Sequence, residues 1–307
     1  MTVVLFLACM YSSFFVFAPT SFIPKEKMFE IPEGYTLAKT ADMLENKGII
    51  RSGFFLRAYI ALAKNDHPVI SGFYLLSEKE PLYIIANRIV SGEYRISKVK
   101  ILIPEGFDSE DIKKIVSSSI PSFEGVKFLS LAKQKEGYLF PDTYFFFSIV
   151  KPEEVVVTMR NNFDEKIKPI ESKIKASGHS LSDIVTMASI IEREVVTPED
   201  RRIVSGILWK RIKIDMPLQV DAVFDYVNGK TTNDLTSEDL KTDSPYNTYT
   251  NKGLPPGPIC NPGIDTILAA VEPTKTAYLY YLSDKTGKIH YAKTFDEHVR
   301  NKQKYLK

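Results

Sequence analysis

Cysteine is nearly missing from this chain of 307 residues: Cys9 and Cys260 are the whole complement. One lies in an N-terminal apolar run and the other in a Pro- and Gly-rich stretch, so no intramolecular disulfide is expected and the fold has to hold without one. Histidine is almost as scarce. His67, His179, His290 and His298 are scattered with no metal-ligand spacing, and neither they nor the cysteines form a nucleophile motif with a neighbour. No metal and no cofactor is therefore expected. An excess of one charge is missing too: 40 basic residues face 38 acidic ones, for a net charge of +2. Without a broad basic field, nucleic acid is not a candidate partner.

Charge is also absent from Thr2 to Pro24, where Val3–Phe17 is dense in Leu, Val, Phe, Met and Ala. A run of roughly 20 uncharged residues suits a membrane anchor, expected here over residues 1–24. No basic residue precedes it, which argues for an uncleaved signal-anchor over a cleaved signal peptide. Lys25 and Lys27 come directly after it; taken literally, the charge rule puts the C-terminal bulk inside. Phe6-Leu7-Ala8 before Cys9 is a poor match to a lipoprotein signal. The remainder, in a chain 44% hydrophobic and 25% charged, has globular composition and room for two domains.

Along that remainder, strand-like segments alternate with short amphipathic helices. Helices are expected over Leu37–Asn46, closed by Gly48, over Phe54–Ala63 with Ser52 as its cap, and over Pro81–Val90 before Gly92. Ile31-Pro-Glu-Gly-Tyr returns as Ile103-Pro-Glu-Gly-Phe, each after apolar strand residues and before a helix. Two related units, or merely two helix-starting turns, account for this equally well. From Glu136 the texture becomes Glu-Gly-Tyr-Leu-Phe-Pro-Asp-Thr-Tyr-Phe-Phe-Phe. A packed strand and an aromatic glycan groove both fit, although Pro141-Asp142 argues for a loop at that point.

Ser180–Val195 carries the main chemical signal. Ser180 and Asp183 form a capping-box pair, and neither Gly nor Pro interrupts the run from there to Val195. At helical spacing Leu181, Ile184, Val185, Ala188, Ile191 and Val195 make one stripe, and Glu192 lies inside it. Arg193 and Glu194 point away from the stripe, as solvated charges should. A carboxyl on an apolar face loses hydration, which favours its protonated form and suits a general acid. The plainer alternative is that Glu192 pairs with a Lys or Arg.

Further on, Thr197-Pro-Glu-Asp restarts a helix with its apolar face at Ile203, Val204, Ile207 and Leu208. Gln219 and Asp221 interrupt the apolar segment after Met216 and are either structural or facing a ligand. The run Ser244–Gly263, rich in Pro, Gly, Asn and Tyr, has the composition of a rigid loop with hydrogen-bonding side chains. Asp284-Lys-Thr-Gly joins two strands into a hairpin, and Phe295–Tyr305 closes the chain as a helix.

Taken together, Glu136-Gly-Tyr-Leu-Phe-Pro-Asp-Thr-Tyr, Ala188-Ser-Ile-Ile-Glu-Arg-Glu, Leu218-Gln-Val-Asp, Tyr246-Asn-Thr-Tyr, Gly253-Leu-Pro-Pro-Gly-Pro-Ile and Asn261-Pro-Gly, in this order, resemble the membrane-bound endolytic murein transglycosylases, the YceG-like family. The likeness runs from about Phe29 to Tyr305. It implies an α+β protein with an N-terminal anchor, a small LysM-like α/β subdomain at 29–103 and a larger mixed α+β catalytic domain at 104–307. It also implies a lyase that cuts the MurNAc–GlcNAc linkage within glycan strands, the sugar's own 6-hydroxyl acting as nucleophile to leave a 1,6-anhydro end. One acid-base residue then suffices, where ordinary glycosidases need two carboxyls.

By that resemblance the glutamate after Ser-Ile-Ile, Glu192, is the catalytic acid. Gln219, Tyr246, Asn247 and Tyr249 are the candidates for orienting substrate, against a loop-stapling role. Glu136 and Asp142 are further substrate-side carboxyls to test. The expected partners are peptidoglycan strands, the membrane and cell-wall synthases, with the bulk outside the cytoplasm. Two rivals stand beside this reading: a non-catalytic peptidoglycan-binding module, and a pyridoxal-phosphate lyase, for which no lysine sits in a convincing site.

Overall fold

The computed structural model describes residues 10–11, 13–18, 28–64, 67–76, 80–230 and 234–306. The anchor expected over 1–24 lies for the most part outside these. Among the described residues no helix is long and apolar enough to cross a membrane. The chain divides into two compact units between Lys98 and Val99.

In the first unit, β1 (Met28–Ile31) leads into α1 (Leu37–Asn46), α2 (Gly53–Ala63), β2 (Gly72–Leu75) and α3 (Leu82–Ser91). β1 and β2 pair antiparallel, Met28 opposite Leu75 and Ile31 opposite Gly72. Phe29, Ile31 and Tyr74 turn inward from the pair, onto Ala41 and Leu44 of α1, Leu56 and Ile60 of α2, and Leu82, Ile85 and Ile89 of α3. The Thr36 hydroxyl caps α1 by accepting from the Lys39 N–H. Ser52 precedes α2 as expected but makes no side-chain cap bond.

The second unit begins with β3 (Lys98–Leu102), which joins β4 (Thr143–Phe147) in a two-stranded sheet. Its Pro-Glu-Gly turn has the same local form as the one after β1: Gly34 and Gly106 have φ of 77° and 80°. Asp108 then caps α4 (Ser109–Ser119) through the Asp111 N–H. The aromatic run resolves into loop and strand. Pro141-Asp142 stays outside the sheet, and along β4 Tyr144 and Phe146 are buried while Phe145 is exposed. These inward rings pack with Ile112 and Val116 of α4, Phe128 of α5 (Gly125–Ala132) and Val155 and Met159 of α6 (Pro152–Ile167). They belong to a core, not to a groove.

The larger core of this unit surrounds α8 (Leu181–Glu194), which comes after α7 (Glu171–Ser177). Its Ser180–Asp183 capping box is formed in both directions. α8 packs against α9 (Pro198–Lys213), α10 (Ala222–Asn228) and α11 (Ile264–Val271). The apolar stripe is only part of what it buries. Thr186, Met187, Ser189 and Ile190, which lie off the stripe, are buried as well. A helix covered on all sides has no solvent face for its charges. The unit ends with the hairpin β5 (Tyr280–Ser283) and β6 (Ile289–Ala292), Tyr280 opposite Ala292, and with α12 (Phe295–Tyr305).

Candidate active site

Two carboxyls near the end of α8 have different surroundings. The Glu192 side chain is only 4% exposed, and its Oε1 accepts from the Arg201 guanidinium at 2.6 Å. Its Oε2 accepts from the Gly263 N–H at 2.9 Å. Glu105 of the second Pro-Glu-Gly turn approaches the same guanidinium at 4.0 Å, and burial together with the Glu192 charge pushes its carboxyl upward. Gly263 has to be glycine for this approach, since a Cβ there would fall 1.9 Å from Glu105 Oε1. Both oxygens of Glu192 are thus engaged in a brace between α8, α9 and the Asn261-Pro-Gly turn.

Glu194, two residues on, is the residue expected to point into solvent, and the structure overturns that. Its Oε2 accepts from the Tyr281 hydroxyl of β5 at 3.0 Å, and the Ala222 N–H also donates to its carboxyl. Burial, with the neighbouring Asp221 charge adding to it, pushes this carboxyl up to about 7. It lines a cleft of about 820 Å³, together with Gln219, Asp221, Tyr249 and Tyr280, and with Phe295, His298 and Lys302 of α12. That volume suits a ligand of more than one sugar ring. Glu192 is not among the residues that line it.

The Leu-Gln-Val-Asp and Tyr-Asn-Thr-Tyr motifs meet at this cleft because Thr248 knits them together. The Gln219 N–H donates to the Thr248 carbonyl at 3.1 Å and the Val220 N–H to the Thr248 hydroxyl at 3.0 Å. Gln219 is thereby held at φ 50°, a left-handed conformation that costs a non-glycine residue and leaves its side chain exposed at the cleft. Tyr249, next to Thr248, donates to Asp221 Oδ1 at 2.5 Å. Arg211, buried at the end of α9, donates to the Leu218 carbonyl at 2.6 Å and the Leu279 carbonyl at 2.7 Å. It ties the Gln219 turn and the entry to β5 to one helix, fixing two walls of the cleft relative to Glu194.

The profile of the YceG-like family matches residues 29–304. The chain belongs to this family. An endolytic murein transglycosylase of Bacillus subtilis (strain 168) is 30% identical over 303 residues, covering 90% of this chain and 84% of that one. Another, from Streptococcus pneumoniae serotype 2 (strain D39), is 29% identical over 88% of this chain, which spans 57% of that longer protein. A crystal structure described as a yceG-like protein of Listeria monocytogenes superposes with a TM-score of 0.62 at 30% identity, covering 89% of this chain and 98% of that one.

The other motif residues that this YceG-like sequence brought forward lie away from the cleft or at its edge. Glu136 is buried, its Oε2 accepting from the Ser109 hydroxyl at 2.7 Å and its Oε1 from the Asn261 amide at 2.9 Å; burial pushes it up to about 7. Asp142 accepts from the Thr143 N–H and the Asn162 amide and is held below the usual carboxylate range. Asn247 is 1% exposed and staples its own loop, donating to the Leu240 and Thr242 carbonyls and accepting from the Tyr249 N–H. Tyr246 packs its ring on Tyr226 at 5.4 Å. Of the six substrate-side candidates, the structure brings Gln219 and Tyr249 to the cleft with Glu194. Tyr281, which sequence reasoning passed over as one of a hairpin's aromatics, joins them.

Glu194 also makes stability depend on pH. Its folded pKa of about 7 stands above the ordinary 4.5, so the native state carries no penalty at low pH and is progressively disfavoured as pH rises from about 4.5 to about 7. Replacing Glu194 by Gln removes that loss. Chemical denaturation at pH 5 and pH 8 is expected to show the variant gaining on the unsubstituted protein by about 2 kcal/mol or more across the interval. A constant difference between the two proteins over that range would contradict the assignment.

Proposed function

We propose that this chain is a peptidoglycan lytic transglycosylase, a lyase that cuts MurNAc–GlcNAc bonds within glycan strands, and that Glu194, not Glu192, is its general acid and base. The observation carrying this is the Glu194 carboxyl, pushed up to about 7 by burial, lining a cleft large enough for a glycan segment. A group poised near neutrality serves equally as donor and acceptor.

With a strand in the cleft, the Glu194 proton passes to the glycosidic oxygen as the bond from the MurNAc anomeric carbon to that oxygen breaks. The 6-hydroxyl oxygen of the same MurNAc then bonds to the anomeric carbon, and its proton returns to Glu194. The catalyst is restored without water, and the product carries a 1,6-anhydro ring. The Tyr281 hydroxyl and the Ala222 N–H stabilise the Glu194 anion between the two transfers. Gln219, exposed on its strained turn, is placed to orient the sugar.

We assign the N-terminal segment as an uncleaved membrane anchor, the first unit as a LysM-like module, and the catalytic unit to the extracytoplasmic face of the membrane, within reach of nascent strands and cell-wall synthases. The apolar, uncharged run from Thr2 to Pro24 supports the anchor. The test of the activity is digestion of purified glycan strands by the full chain, with mass analysis of the ends. Anhydro ends are expected; reducing ends would mean hydrolysis, and intact strands a binding module.

A further inference from the structure

We propose that Asp221 is a second catalytic group of this cleft, a carboxylate that faces the MurNAc ring and stabilises the positive charge developing at its anomeric carbon. The inference rests on the transglycosylase reading above and adds to it a residue with its own role.

Asp221 stands at the N-terminal flank of α10, where an aspartate ordinarily accepts from the helix's free N–H groups. Here it makes no side-chain cap bond, with φ at −73° and ψ at −29°. Its Oδ1 instead accepts from Tyr249, at 2.5 Å. Burial and the Asp221 charge push the Tyr249 phenol upward, so the bond is donated by a firmly protonated hydroxyl. No Lys, Arg or His among the described residues forms an ion pair with Asp221. The other aspartate lining the cleft, Asp225, forms an ion pair with Arg193 at 2.7 Å.

Asp221 and Glu194 are also close by construction, because the Ala222 N–H, one peptide unit along, donates to Glu194. The cleft therefore holds Glu194, pushed up to about 7, and beside it an Asp221 carboxyl that has no ion-pair partner among the described residues. Cleavage builds positive charge on the anomeric carbon and ring oxygen while the donor is only beginning to ionise. A fixed anion positioned in advance stabilises that state more than the ground state, without forming a bond itself.

The test is Asp221→Asn in the full chain, assayed on glycan strands over a pH series. An expected fall of about 10²–10³-fold in kcat, with KM within about threefold, marks a group acting on the transition state. The alkaline limb of the profile should move to lower pH, because Glu194 loses the neighbouring charge that favours its protonated form. The other groups around Glu194, which are Tyr281 on β5, Arg211 on α9 and Tyr249 on the loop, stay in place. A variant with kcat within about threefold of the native value and an unmoved limb would overturn the proposal.

Should that variant fail to fold, the unsubstituted protein decides the question. At pH 5.5, where Glu194 is neutral, a cationic iminosugar disaccharide should bind at least tenfold tighter than its neutral lactam isostere, and equal binding would sink the idea. The two readings separate cleanly. Activity surviving Glu194→Gln removes the transglycosylase assignment itself, whereas a dead Glu194→Gln beside a fully active Asp221→Asn removes only the role of Asp221.

Discussion

Glu194→Gln is expected to lower the rate of glycan-strand cleavage by about 10³-fold at pH 6–7, with strand binding retained. The amide preserves the volume and can still accept from Tyr281 and the Ala222 N–H, so the cleft keeps its shape, but it has no proton to deliver to the glycosidic oxygen. The comparison is most informative with Glu194→Asp, which keeps an acid but withdraws it by one methylene. That variant should recover part of the rate, because proton transfer depends on reach as well as on acidity. Steady-state release of anhydro ends, measured alongside binding of intact strands, checks both statements. A Glu194→Gln protein cutting within tenfold of the unsubstituted rate would return the search for the acid to its beginning.

Glu192→Gln should do the reverse. Its partner Arg201 is 11% exposed and would lose a charge-assisted bond of 2.6 Å. Removing one member of a buried ion pair leaves the other uncompensated and costs about 3 kcal/mol or more. In a unit of this size that is a drop of roughly 6–12 °C in Tm. Glu105, 4.0 Å from the same guanidinium, takes over part of the compensation and tempers the loss. The protein that remains folded at 25 °C should cut strands at close to the normal rate, because Glu192 does not line the cleft. Thermal melts and activity normalised to folded protein distinguish this outcome from a catalytic one. Replacing Glu192 and Arg201 together by apolar residues should cost less than the sum of the two single changes.

These opposite expectations for two glutamates two residues apart show where the sequence was legible. Apolar spacing located α8 to within a residue at each end and marked its capping box, and turn residues located the β5–β6 hairpin. What spacing did not convey was the number of faces the helix buries. Reading Ile184, Val185, Ala188 and Ile191 as a stripe assumes solvent on the other side. Met187 and Ile190 on that other side, and the absence of any charge from Ile184 to Ile191, were the signal that none is there. With solvent removed, the positions of the two acids exchange meaning: the one on the stripe meets Arg201, and the one off the stripe meets the cleft.

Motif order served better than motif interpretation. Gln219 and Tyr249 were legible as cleft residues because they sit in compact polar motifs within apolar surroundings. Glu136, Asp142 and Asn247 belong to equally distinctive motifs, yet they hold loops together. Nothing in the sequence separates a carboxyl that accepts from Ser109 and Asn261 from one that awaits a sugar, since the difference lies in which segment folds across it. Asp221 shows the opposite limit: at a helix start it looks like a cap, and only its bond to Tyr249 shows otherwise.

Glu194 is the last residue of α8. Peptide dipoles along fourteen residues add up toward that end, where the final carbonyls are directed outward along the axis and make the surroundings unfavourable to an anion. On the mechanism proposed above, the helix opposes the Glu194 anion left midway through turnover and favours recapture of a proton from the 6-hydroxyl. In that mechanism a scaffold element that looks purely architectural would bias the second half of the reaction toward the reloaded acid.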